Sequence, residues 1–77
     1  MSKRFLVLFN TTHDVIKAER VCLKQELAIQ VVPVPRSISS ECGMALEASA
    51  RLRSKVTTII AEAGIPVKRI LEVPDGF

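Results

Sequence analysis

A single α+β domain, with two helices on one face of a four-stranded antiparallel sheet, is predicted by three features of this sequence. Short β-rich apolar runs stand at 5–9, 28–34 and 67–73, with a weaker one at 43–48. Between them, two stretches repeat apolar residues at helical spacing. Turn or capping residues punctuate the junctions. Seventy-seven residues leave room for one domain, 1–77, and no separate catalytic unit. A chain of this size buries only about 60% of its unfolded surface, so the core is thin and function must sit on a loop or a sheet face.

Phe5 to Phe9, opened by Arg4, reads as a buried strand. Asn10-Thr11-Thr12 supplies turn and N-cap chemistry, with Asp14 three residues beyond Thr11 in a capping-box-like arrangement. A helix over about 12–26 then places Val15, Ala18 and Cys22 on one face, with Val21 alongside, and Lys17, Arg20 and Lys24 on the other. The run 28–34 is β-branched, but Pro33 and Pro35 cannot donate ladder hydrogen bonds. That strand belongs at a sheet edge. Residues 36–41 form a polar loop. The weaker run 43–48 turns Met44, Leu46 and Ala48 to one side as a third strand, or begins the next helix early.

The second helix is the clearest element. Leu52, Val56, Ile59, Ile60 and Ala63 make one apolar stripe, Gly64 stands where a left-handed cap is wanted, and Pro66 cannot continue the helix. Residues 67–73 close the sheet and 74–77 form a tail. The resulting β-α-β-β-α-β order is that of the ferredoxin-like sandwich. Two helices cover one sheet face. Alternate residues of these apolar strands point to the other, which the sequence leaves bare for a partner or a second copy. The same order gathers the loops at 10–13, 36–42 and 64–66 at one end, and so brings His13, Arg36 and Cys42 together.

Composition narrows the function classes. With 48% apolar and 25% charged residues the balance is globular, not disordered. The first apolar run ends at Asn10, too short for a signal core, and nothing approaches the ~20 apolar residues of a membrane span. Two cysteines permit one bridge at most, so no disulfide framework is encoded. A cytoplasmic location with both thiols reduced is expected. The net charge of +3 comes from scattered residues; solvated helix faces account for most of them, and the excess suits an anionic ligand or an acidic partner.

Cys42 is the leading chemical residue. It lies in a loop after Ser39-Ser40-Glu41 and before Gly43. A thiolate there is the working form for nucleophilic attack or for carrying a sulfur or selenium atom. Arg36 can supply a stabilising charge, Ser39 and Ser40 hydrogen bonds, and Gly43 an approach free of a Cβ. The opposing reading is a small buried hydrophobe at a strand start. Cys22, on the apolar helix face, reads as a core thiol, and the two cysteines lack C-x-x-C spacing. His13 follows the N-cap, where it either shuttles a proton near Cys42 or faces solvent. One histidine and two cysteines are too few for a closed zinc site, so neither metal nor cofactor is expected. No phosphate loop, dinucleotide fingerprint or nucleophile elbow is present. The glutamates, Glu47 among them, show no paired-carboxylate arrangement. RNA-recognition domains share this element order, but they stack bases on central-strand aromatics. Phe5, Phe9 and Phe77 are the only aromatics here, and the third strand has none.

The loop Val34-Pro35-Arg36-Ser37-Ile38-Ser39-Ser40-Glu41-Cys42-Gly43 resembles that of the small selenium/sulfur carrier-like domains, whose pattern is Pro-Arg-x-Ile-Ser-Ser-x-Cys-Gly. Phe9-Asn10-Thr11-Thr12-His13 and Ala18-Glu19 are similar to their earlier segment, and the resemblance runs from about Phe5 to Ile70. It departs at Glu47-Ala48-Ser49-Ala50, where a more β-prone run and a proline-led helix start are expected. The resemblance implies that Cys42 accepts sulfur or selenium as a persulfide or selenopersulfide and passes it on. The partners would be a donor enzyme and an acceptor protein, with no nucleic acid and no membrane. A module binding a small anion through Arg36, Ser39, Ser40 and the first helix N-terminus is the alternative. A subunit that docks through the bare sheet face is a third.

Overall fold

The computed structural model describes residues 3–34 and 43–73. Its elements follow in the order β1 (Arg4–Leu8), α1 (Thr12–Lys24), β2 (Ile29–Pro33), β3 (Met44–Ser49), a 3-10 turn (Ala50–Leu52), α2 (Arg53–Glu62) and β4 (Arg69–Val73). The sheet order is β2-β3-β1-β4 and each adjacent pair is antiparallel. This is the ferredoxin-like arrangement, with the two helices joining strands that are not neighbours. The register sets Leu8 beside Ala45 and Arg69, and Pro33 beside Met44. The proline-bearing β2 is an edge strand, as its missing donors require.

The helix-covered face holds the main core. Phe5, Val7 and Phe9 of the first strand region meet Val15, Ala18 and Cys22 of α1 and Val56 and Ile60 of α2, all essentially inaccessible to solvent. The aromatic pair therefore serves packing, and Phe5 and Phe9 offer no stacking surface. Leu52 and Ile59 pack against this core from its margin, whereas Ala63, at the end of the stripe, is exposed at the helix terminus. The strand expected at 43–48 forms over Met44–Ser49, one residue later at each end; the departure from the resembling pattern does not shorten it.

The opposite face corrects an expectation. It is not bare at its centre: Leu6 and Leu8 are 0% and 1% exposed and cluster with Ala45 and Val34, flanked by Val32 and Leu71. The register explains the pairing, since Leu6 lies between Glu47 and Leu71 and Leu8 lies beside Ala45. Glu47 also belongs to this face. Only 7% exposed, its Oε1 accepts from Arg4 Nε at 2.9 Å and Gln30 Nε2 at 2.8 Å. A buried carboxylate needs such donors to offset lost hydration. The three residues tie β1, β3 and β2 together at the end opposite the 10–13 turn.

Both helices stop in the same way. After α2, Gly64 adopts φ +73°; its N–H donates to Ala61 O at 3.0 Å and that of Ile65 to Ile60 O at 3.2 Å. After α1, Glu26 adopts φ 59°; its N–H donates to Leu23 O at 2.9 Å and that of Leu27 to Cys22 O at 3.2 Å. Each is a Schellman cap, with Ile65 or Leu27 folding back into the core. The first helix therefore ends at Lys24, two residues before the expected limit.

Candidate functional site

The end of the sheet where β1 and β2 finish and β3 and β4 begin carries the candidate site. Thr11 has extended backbone, φ −139° and ψ 157°, and its Oγ1 accepts from the Asp14 N–H at 3.2 Å. This cap starts α1 just past β1 and aims the positive end of the helix dipole at this end of the molecule. His13 sits exposed in the first turn. At the neighbouring edge, the Val34 N–H donates to Gly43 O at 2.9 Å, closing the β2–β3 ladder at the base of their connection. Gly43 is exposed, and a Cβ built on it would meet nothing within 4 Å. The fold itself does not demand glycine there; the position is simply open to approach from outside. Gly64 to Lys68 crosses the same end, and the Lys68 N–H donates to Leu8 O at 2.8 Å.

The structure thus brings His13, Gly43 and both ends of the 35–42 connection to one end of the sheet. Arg36, Ser39, Ser40 and Cys42 lie outside the described residues. Cys22 is fully buried against α1's core neighbours, and burial pushes its thiol up from its ordinary value of 9.0. It is a packing residue. Among the described residues, no group of three His, Cys, Asp or Glu could hold a metal ion, and no helix is long and apolar enough to cross a membrane.

Glu47 is the structured polar group that the sequence does not disclose. Its alternation with Leu46 and Ala48 marks only a polar residue on the other sheet face. Recognising the cluster needs the register that aligns Glu47 with Leu6 and Gln30 and sets Arg4 opposite Ser49.

A βαββαβ sandwich, four antiparallel strands with two helices, defines a small α+β domain. The chain belongs to the family described as "Putative Se/S carrier protein-like", whose model matches residues 4–72. No curated protein and no solved structure matches it significantly.

Proposed function

We propose that the protein is a sulfur or selenium carrier and not a self-contained enzyme, with Cys42 as the loading residue. The observation that carries this reading is the family match over residues 4–72, which spans the whole Arg36–Gly43 loop. The Cys42 thiolate attacks the outer sulfur of a persulfide on a donor enzyme. A new S–S bond forms at Cys42, the donor's S–S bond breaks, and the donor leaves as a thiolate. No net oxidation or reduction occurs. Arg36 with Ser39 and Ser40 would favour the anionic forms of Cys42 and of its persulfide by charge and hydrogen bonding. On this reading His13, at the same end of the sheet, would exchange a proton, and the exposed Gly43 would leave room for the partner's sulfur. The acceptor protein removes the atom by the same exchange in reverse.

Intact-mass spectrometry after incubation with a cysteine desulfurase and cysteine tests the proposal. Wild type gains the mass of one sulfur and Cys42→Ala does not. No addition to wild type, or equal addition to both, refutes it.

The capped N-terminus of α1 at the same end favours one second reading, a module that binds a small anion without covalent chemistry. Under that reading Cys42→Ser leaves affinity for the anion intact and Arg36→Ala abolishes it.

A further inference from the structure

The outer face of α1 sets it apart from α2. Ile16 and Leu23, one i,i+7 pair, are 42% and 52% exposed, against a core whose other large apolar side chains are mostly buried. Beside them runs a row of exposed cations, Lys17, Arg20 and Lys24. Arg20 lies at the centre: its i±3 and i±4 neighbours on the helix are Lys17, Leu23, Ile16 and Lys24. None of the three cations enters an ion pair among the described residues, in contrast to Arg4 with Glu47 and Arg53 with Glu72. On α2 the exposed residues are Arg53, Ser54, Lys55, Thr58, Ala61 and Glu62; no large apolar side chain is among them, and Arg53 is paired. A helix face that only meets water is normally laced with charges of both signs. Here the exposed charges are all positive, with the acidic neighbour of the pair, Glu19, half-buried, and the like charges at i,i+3 and i,i+4 repel one another.

We infer that this face of α1 docks a protein partner whose surface presents acidic side chains around an apolar centre. Arginine flanked by aliphatic side chains is the composition of an interface centre, and the cation row supplies steering and orientation. An anionic membrane fits less well, because two aliphatic side chains on a helix already packed by its other face offer little to insert and no aromatic residue accompanies them. Nucleic acid fits less well for want of stacking groups. The inference does not require Cys42: the patch runs from Ile16 to Lys24, away from the end of the sheet where the carrier reading places transfer.

Site-directed photo-crosslinking of the full chain in cells tests it. A photoreactive phenylalanine analogue replaces Leu23 and, as control, Lys55 on α2. Each is made with native cations and with the triple reversal K17E/R20E/K24E. The expected result is protein adducts from position 23 well above those from position 55, with acidic contact peptides identified by mass spectrometry. Charge reversal, or raising the salt in freshly broken cells, lowers their yield about tenfold. Should the triple variant fail to fold by circular dichroism, Arg20→Ala is read instead, with a smaller loss in the same direction. Equal yields at both positions, indifference to charge reversal, or adducts formed with lipid, nucleic acid or a second copy overturn the inference. Sulfur loading of Cys42 from a small-molecule persulfide is measured on the same proteins. Loading absent while position-23 adducts persist sinks the carrier reading alone; normal loading with no preference for position 23 sinks docking alone.

Discussion

Glu26 and Gly64 occupy the same position in two matching helix caps, and exchanging their chemistry should move stability in opposite directions. Left-handed backbone costs an L-residue about 1–2 kcal/mol, a penalty that Glu26 bears at φ 59° and Gly64 escapes at φ +73°. Glycine also loosens the unfolded chain, which offsets about 0.4–1 kcal/mol of any gain. Glu26 is exposed and its side chain has no hydrogen bond or ion pair among the described residues, so Glu26→Gly removes little else. The net expectation is a stabilisation of about 0.5–1 kcal/mol, or a few degrees in Tm for a domain of this size. Gly64→Ala should lose a similar amount through strain alone, because its Cβ would meet nothing within 4 Å. The caps lie at opposite ends of the sheet, so the effects should add and the double variant should return near wild type. Urea unfolding followed by circular dichroism reads all three; the midpoint should move without a change in slope. A destabilised Glu26→Gly protein would refute the reasoning, because it would mean that the carboxylate side chain contributes more than its backbone conformation costs.

The remaining expectations use the same kind of measurement. Glu47→Ala should cost about 2 kcal/mol, since it leaves Arg4 and Gln30 without their shared acceptor while both retain some access to water; an unchanged urea midpoint would show that the cluster is energetically idle. Thr11→Ala should cost about 1 kcal/mol by removing the acceptor for the Asp14 N–H, visible in the same denaturation curves. In the native protein Cys22 should resist a thiol reagent that labels it fully in urea, which a Cys42→Ala background isolates; rapid native labelling would contradict its burial. Because burial raises the folded-state pKa of Cys22, its contribution to stability is intact below 9.0 and falls as pH rises beyond that value, where the unfolded chain ionises first. Relative to wild type, Cys22→Ala should therefore lose less stability between neutral pH and pH 10.

Much of the fold was legible because local chemistry and long-range packing agree. Pro33 marked β2 as an edge strand, Thr11 the start of α1 and Gly64 the end of α2, and each is where the backbone requires it. Glu26 was not legible. Glutamate is a good helix former, and nothing local shows that Leu27 must fold back onto the core and draw the preceding residue into left-handed backbone. Glu47 was hidden for a different reason. Its partners lie 43 and 17 residues away in sequence, so only strand register shows that a polar alternate position is buried. The burial of Leu6 and Leu8 was hidden too, since alternation tells which residues share a face but not how far that face is shielded from water. Of the candidate site, the placement of His13 and Gly43 followed from element order alone.

These differences bear on how a carrier of this size could work. The central strands and the two capped helices leave one end of the sheet carrying the turns at 10–13 and 64–68 and both ends of the 35–42 connection. In a domain with so thin a core, the ladder bond from Val34 to Gly43 and the cap at Thr11 are inexpensive ways to fix that end without spending apolar surface. The fully buried Cys22 then leaves Cys42 as the sole remaining thiol. On the carrier proposal, transfer passes through that residue. A Cys42→Ala protein that still accepts sulfur would place the chemistry on a thiol held in the core, which the packing around Val15, Ala18 and Val56 does not permit without unfolding.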